Sequence, residues 1–327
     1  MVYERQKYRH AGFFKKIAST AAKEKIDILF MNSIYDCYGD YFYLVLAVKC
    51  KKIISIHNLN SWFRSNIRLP LRKILDPWYK AAMIRSSDGI NVFDEKLKNY
   101  VLANFNYRKN IFTIPFQIYN ALPHREHLLS NDNVVKFIVS GLIQKERRDC
   151  GMVLDVFKEL FKEHGNISLT LAGPPVGSYG MDIVKKCKEM MGRDNAPIKL
   201  YDRFITGKEF DDVMSSADIL IDPQMMEVYC DNTKEIYGMT KNPGNISDLI
   251  RFAKPGIFPQ NISVPGELED SILRYGDAHE LKALILKIIE DREFLRKLSR
   301  KAMANSEKYS LRRVRDKTAV QIKGIFL

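Results

Sequence analysis

A chain of 327 residues is longer than one hydrophobic core usually organises, so two domains are the default expectation. With 46% hydrophobic and 28% charged residues, 17 Gly and 12 Pro, the composition excludes a largely disordered chain, and no apolar run approaches the roughly 20 residues needed to span a bilayer. A formal net charge of +13 asks for an anionic partner, and charge alone leaves nucleic acid, a lipid surface and phosphorylated substrates open.

The opening MVYERQKYRHAGFFKK lacks the apolar stretch and small-residue cleavage site of a signal peptide, so the cytoplasm is the expected compartment. Short β-type runs then recur: IDILFM at 26–31, KIISI at 52–56, GINV at 89–92 and IFTI at 111–114. A polar segment at 117–133 (QIYNALPHREHLLSNDN) reads as a linker. The series resumes with VVKFIV at 134–139, ISLTL at 167–171, IKL at 198–200 and DILI at 218–221. These runs are continuously apolar rather than alternating, as expected of parallel strands buried on both faces. Amphipathic helical patterns lie between most of them, among them 152–161 and 209–214. Strand and helix in repetition predict an α/β fold with crossover connections. The expected architecture is two doubly wound lobes around a cleft, with ligands at the carboxyl ends of the strands. Residues 279–327 read as continuously helical and strongly basic. The expected divisions are a first lobe at 1–116, the linker at 117–133, a second lobe at 134–305 and a basic C-terminal helix at 306–327.

Five scattered cysteines form no CxxC pair, which speaks against a disulfide framework or a zinc site. His124 and His127 stand three apart with no Cys or acidic cluster beside them, so no metal site is expected. Two segments do carry candidate chemistry. The first, FIVSGLIQKERRD at 137–149, runs out of a strand, turns at Gly141 and delivers Lys145, Arg147 and Arg148 just before a helix. Guanidinium forks match phosphate oxygens, and a helix N-terminus adds amide donors. The second, YGMTKNPGNISDLIRFAKPG at 237–256, leads through Pro243 and Gly244 into a helix expected to take Asn245 as its cap, with Ser247 and Asp248 in the first turn. Gly244 lets a ligand approach the backbone, and Lys241 precedes it.

With those residues in view, the stretch from about 134 to 310 resembles family 4 glycosyltransferases and their relatives. FIVSGLIQKERRDCGMVLDVFKEL is similar to the family's strand, Gly-Arg loop and first helix, and ISLTLAGPP to its next strand ending in Ala-Gly, here with Gly173. IKLYDRFITGKEFDDVMSSADILIDPQ resembles the segment ending "layyaadvfvlPs", and ISDLIRFAKPGIF resembles "lEAmacGkPVv". SILRYGDAHELKALILKIIEDREFLRKLSRKAMANSEKYS resembles the closing helices. The resemblance implies the GT-B architecture, two Rossmann-like lobes facing a central cleft. It also implies transfer of a sugar, with retention of anomeric configuration, from a nucleotide diphosphate sugar to a glycan or polyprenyl-linked acceptor in surface polysaccharide or glycoconjugate synthesis.

In that family the Arg and Lys of the loop after the lobe's first strand grip the diphosphate, the neighbourhood here of Lys145, Arg147 and Arg148. The base lies by the backbone that corresponds to Tyr201, Arg203 and Phe204. The family's acidic pair (Glu, seven residues, Glu) is not kept: Asp248 aligns near the second Glu, which holds the ribose, and Thr240 stands eight residues before it. Glu235 fits the first Glu only with residues inserted between it and Asp248. The pattern fits better a variant in which Lys241, Gly244, Asn245 and Ser247 hold the phosphates. KIISIHNLNSW at 52–62 resembles the strand ending in "tiHd", which makes His57 the residue facing the transferred sugar. The family's opening strand and glycine-rich loop are missing, so the first lobe reads as abbreviated. No Asp-x-Asp carboxylate motif offers itself to Mg²⁺ or Mn²⁺, and the cations can take a metal's place; no cofactor beyond the donor substrate is expected. The run at 62–78, with Arg64, Arg68, Arg72, Lys73 and Lys80 in and just beyond it, mixes aromatics, aliphatics and cations as suits an anionic bilayer, and points to peripheral attachment at the inner face of the cell membrane. Three other readings stay open: a nucleic-acid-binding protein, a non-catalytic nucleotide-sugar-binding partner subunit, and a sugar-nucleotide epimerase. No recognised nucleic-acid motif is present, so a nucleic-acid partner is not expected.

Overall fold

The computed structural model describes residues 10–64, 74–120 and 133–326. The chain divides into two compact units, Met1–Pro115 with Tyr229–Asn242 and Arg315–Leu327, and Phe116–Val228 with Pro243–Val314. The first unit is therefore not confined to the start of the chain, as the sequence reading had it, but draws on two later segments.

In the first unit, strands β1 (Ile28–Met31), β2 (Lys51–Ser55), β3 (Gly89–Asn91) and β4 (Asn110–Phe112) form one parallel sheet in the order β1-β2-β3-β4. Helices α1 (His10–Lys23), α2 (Tyr38–Ala47), α3 (Leu59–Phe63), α4 (Asp76–Ser86) and α5 (Glu95–Asn104) connect and cover it. Ile54 and Ile90 on the strands and Phe14, Leu44, Leu59 and Met83 on the helices make the core, each essentially removed from solvent. At about 25 cal/mol per Å² of apolar surface, that burial is the main force holding helix to sheet. Asp94 caps α5, its carboxylate accepting from the Leu97 amide at 2.8 Å.

From residue 133 the chain runs β5 (Val135–Ser140), α6 (Cys150–Glu163), β6 (Ile167–Ala172), α7 (Gly177–Arg193), β7 (Ile198–Tyr201), α8 (Gly207–Ser216) and β8 (Ile219–Ile221). A hairpin of β9 (Glu227–Cys230) and β10 (Thr233–Ile236) follows. Then come α9 (Gly244–Phe252), β11 (Gly256–Pro259), β12 (Ile272–Tyr275), α10 (Ala278–Glu290), α11 (Arg292–Glu307) and α12 (Leu311–Phe326). The six-stranded sheet has the order β12-β11-β8-β5-β6-β7 and every resolved pairing is parallel. Counting only this unit's strands, the order is 3-2-1-4-5-6, the doubly wound arrangement, whose switch point lies between β5 and β8. Phe137 on β5 meets Phe157 on α6 edge-on, with ring centroids 5.3 Å apart, at the centre of the core.

Two expectations change. Residues 272–275, grouped with the closing helices in the resemblance, form the edge strand β12, because ILRY is a short apolar run packed along β11. The helical stretch after residue 279 is three helices, broken at Asp291, whose carboxylate caps α11, and at 308–310. The linker is described only at 117–120 and 133; there Tyr119 is buried and pairs with Ser310. His124 and His127, and Arg68, Arg72 and Lys73 of the membrane-like run, lie outside the described residues. No helix among the described residues is long and apolar enough to cross a membrane.

Candidate functional site

At the switch point of the six-stranded sheet, β5 ends at Ser140, and Gly141 follows at φ +97°, a conformation that glycine adopts at little cost. A side chain at Gly141 would strike the Arg148 guanidinium, and one at Gly173 would sit 2.1 Å from the Gly141 carbonyl oxygen. Gly173 is thus required by the close approach of two strand-end loops. The loop after Gly141 is tied to the end of β8: the Arg147 carbonyl accepts from the Gln224 side chain at 2.9 Å and the Met225 amide at 2.8 Å. Lys145 is exposed and Arg147 half-buried.

Arg148 behaves differently from its two neighbours. It is 7% exposed, its Nη2 donates to Asn245 Oδ1 at 3.3 Å and its Nη1 to the Leu142 carbonyl at 3.3 Å. Its Nε stands 4.0 Å from Asp222, a carboxylate with no exposure at all. Asn245 donates to Asp222 at 2.8 Å, and the Ser140 hydroxyl lies 3.1 Å from Asn245 Oδ1 and 2.9 Å from Asp248. Burial pushes the Asp222 carboxyl up to about 6 against the pull of Arg148 and the Asn245 amide. Burial likewise pushes Asp248 up to about 6 against the Ser140 hydroxyl and Arg148, with the Asp222 charge adding to the rise. Arg148, expected among the diphosphate-gripping residues, is a buried counter-ion of this cluster rather than an open cation.

The cluster also fixes where α9 begins. Pro243, buried and extended, is the residue at its cap position, with no side-chain hydrogen bond there, and Gly244 is the first helical residue. Asn245 is not the cap; it lies inside the first turn and its side chain turns to Asp222. Ser247 is buried in the same turn, whereas Gly244 is exposed with nothing within 4 Å of where a Cβ would stand. A helix start without a side-chain cap leaves amide donors of the first turn available. At the end of β7, Tyr201 is half-buried and Phe204 is 72% exposed, while Arg203 forks onto Glu209 at 2.5 and 2.9 Å.

Thr240 and Lys241 fall on the other side of the division between the units, which passes between Asn242 and Pro243. Of the expected phosphate set, Lys241 belongs to the first unit and Gly244, Asn245 and Ser247 to the second. The hairpin turns at Asp231 and Asn232, both at positive φ, and docks on α3 of the first unit. Fully buried Glu235 accepts from the amides of Asn60 at 3.3 Å and Ser61 at 2.7 Å. Thr240 gives its carbonyl to the Leu59 amide at 2.9 Å and its hydroxyl oxygen to the Ile236 amide at 2.7 Å. Lys80, expected among the membrane-facing cations, is 2% exposed and donates to Asp231 at 2.8 Å and to Ser61 Oγ at 2.9 Å. Lys241 donates to Asn58 Oδ1.

His57 follows β2, half-buried between the rings of Tyr35 and Phe93 at centroid distances of 5.5 and 4.6 Å. Its Nε2 lies 3.2 Å from the Asn32 carbonyl and 3.1 Å from Ser33 Oγ. A carbonyl only accepts, so Nε2 carries the proton. Burial, opposed by the Asn32 carbonyl and joined by the Lys241 charge, lowers the ring to about 4, so the ring is neutral at pH 7. Two members of the switch-point cluster, Ser140 and Asp222, escaped the sequence reading. The available signal was an acid directly after the apolar run at 218–221.

No protein-family model matches the chain, and no curated protein matches it in sequence. Solved structures do. Sucrose-phosphate synthase from Thermosynechococcus elongatus superposes with a TM-score of 0.63 at 14% identity, over 96% of this chain and 77% of that one. HepE of Anabaena in complex with UDP-glucose gives 0.62 at 13% identity, over 96% and 82%. A UDP-forming trehalose-phosphate synthase from Burkholderia xenovorans gives 0.58 at 14% identity, over 100% and 81%. The chain has the GT-B fold, built of two Rossmann-like lobes.

Proposed function

We propose that the protein is a glycosyltransferase that takes its sugar from a nucleotide diphosphate sugar bound at the switch point of the six-stranded sheet. The observation that supports this most is the meeting, at the carboxyl ends of β5 and β8, of a glycine turn, a loop bearing two accessible cations and a helix start without a side-chain cap. The donor's pyrophosphate lies against the α9 amides at Gly244, with Lys145 and Arg147 as its cations. Asp248, held by Ser140, faces the ribose, and Phe204 with Tyr201 faces the base.

The difficult step is breaking the bond between the anomeric carbon and the diphosphate. Negative charge then grows on the departing oxygens, so donors already aimed at them lower the barrier most. Each charge-assisted hydrogen bond there contributes about 1.5 to 3 kcal/mol, and the α9 dipole about 0.3 to 2 kcal/mol. In this reading the cations take the place of a metal ion, the anomeric configuration is retained, and the first unit receives a glycan or lipid-linked acceptor, all in the cytoplasm. His57, neutral at pH 7, serves there as a hydrogen-bonding group rather than a charge.

The test is thermal shift with UDP-, GDP- and dTDP-sugars on the parent protein and on Arg147→Ala. Stabilisation by one nucleotide class, reduced in the variant, is expected; a parent that none of them stabilises ends the proposal. One observation favours a second reading, binding without turnover: Arg148, expected at the diphosphate, is engaged inside the protein. A bound donor that is neither transferred nor hydrolysed would select it.

A further inference from the structure

The first unit holds a cavity of about 600 Å³, bounded by α3, the last turn of α4 and the connection from α5 to β4. That volume falls in the range of small-molecule sites. Its wall is aromatic: Phe63 and Phe105 stack with ring centroids 4.4 Å apart, and Tyr107 meets Phe63 edge-on at 5.9 Å. Buried Ile84 and Trp62 line it too. The charged groups among the lining residues are Arg85, Arg108 and Lys109, and no Asp or Glu is among them. Arg85 and Arg108 are exposed, and neither pairs with a carboxylate among the described residues; Arg108 donates to Asn106 at 3.2 Å. The Lys109 ammonium is held in place by the Ser87 carbonyl at 2.7 Å and by the Arg85 carbonyl.

This combination selects a ligand class. The Asp88 carboxylate acts on Lys109, so Arg85 and Arg108 are the cations left to favour an anion, and guanidinium forks favour phosphate. The stacked pair turns one face of each ring to the other, and the Arg64 guanidinium lies 5.7 Å from the Phe105 centroid. The wall therefore offers ring edges and aliphatic carbon, which suit a flexible hydrocarbon chain better than a planar base. Arg85 and residues 104–109 lie on the connections that lead into the amino ends of β3 and β4, whereas His57 leaves β2 at its carboxyl end. The cavity is thus separate from the chemistry assigned to that end of the sheet.

We propose that this cavity binds the phosphate and proximal hydrocarbon of an anionic lipid, with the phosphate on Arg85 and Arg108 and the chain along Phe63, Tyr107 and Ile84. The binding does not depend on the donor site, and its test uses no nucleotide sugar. The chain has two tryptophans, Trp62 and Trp78, so a Trp78→Phe background makes the cavity's own tryptophan the reporter. Dodecyl phosphate, kept below its micelle concentration, is titrated beside dodecyl maltoside and inorganic phosphate while Trp62 emission is followed. Half-saturation by dodecyl phosphate at a concentration at least tenfold below either control is expected. Arg85→Glu with Arg108→Glu should weaken it at least tenfold with the melting temperature retained, and should lower co-sedimentation with phosphatidylglycerol-containing vesicles. Should that pair of substitutions unfold the protein, Ala81→Phe, which narrows the cavity while keeping both cations, must weaken dodecyl phosphate. Equal response to the neutral detergent, equal response to inorganic phosphate, indifference to these variants, or a lipid-free dimer that the arginine substitutions dissolve would each overturn the proposal.

Discussion

Both units bury ionised side chains, and they do so to opposite ends. In the first, Lys80, Asp231 and Glu235 fasten a hairpin delivered from more than a hundred residues downstream onto α3. In the second, Arg148, Asp222, Asn245 and Asp248 draw two strand-end segments and the start of α9 together at the place where a doubly wound sheet receives its ligand. The first cluster joins elements; the second shapes a mouth. The difference shows that a cation in a promising loop can have its charge answered from within the protein. It is Arg147 and Lys145, one residue and three residues away, that remain accessible to an anion.

The comparison breaks most visibly at Arg148. Arg148→Ala strands a fully buried carboxylate and should cost about 3 to 5 kcal/mol of unfolding free energy by denaturant titration. Asp231→Ala strands the Lys80 ammonium, but part of that site is open to water, so a smaller loss of about 2 kcal/mol is expected. Lys80→Met combined with Asp231→Ala should recover part of it.

The pH responses of the switch-point cluster and of His57 in the first unit should carry opposite signs. Asp222 and Asp248, raised from 3.8 to about 6, hold protons in the folded protein that the unfolded chain has already lost, so their contribution is full below about 4 and fades as pH climbs through 6. His57, lowered from 6.5 to about 4, contributes stability above 6.5 that fades as pH falls through 4. Denaturation midpoints between pH 4 and 6.5 should rise more steeply with pH in Asp222→Asn than in the parent, and less steeply in His57→Gln.

Arg147→Ala should weaken donor binding by about tenfold, the loss of one charge-assisted hydrogen bond, with stability unchanged. Lys241→Ala, in the other unit, should leave donor-induced stabilisation as it was. An equal loss in both would mean that the pyrophosphate set is not confined to the second unit. The smallest effect belongs to Arg203→Ala: its ion pair with Glu209 is exposed, and stability should move by less than about 0.5 kcal/mol.

The fold was largely legible. The eight strands read from apolar runs begin and end within two residues of those observed, because a parallel strand buried on both faces leaves an uninterrupted apolar signature. What escaped was decided elsewhere in the chain. TKEI, the sequence of β10, is a short polar strand that exists because Glu235 finds two amides of α3. Lys241 stands two residues before Pro243 and so invites assignment to the same ligand, yet the chain passes from one unit to the other between them. Arg147 and Arg148 are identical as letters; their fates separate because Asp222, 74 positions after Arg148, occupies the interior beside only one of them.

The interleaving of the units also orders their assembly. When the first 115 residues have left the ribosome, all four strands of the first sheet exist, but the Asn60 and Ser61 amides still lack Glu235. Ile53 and Phe112 likewise wait for Ile322 on α12, which follows the segments of the second unit in the chain. A nascent first unit therefore carries raw polar and apolar surface throughout the synthesis of the second, an interval in which misassembly competes with folding. A fragment ending at Pro115 would inherit the same defect permanently.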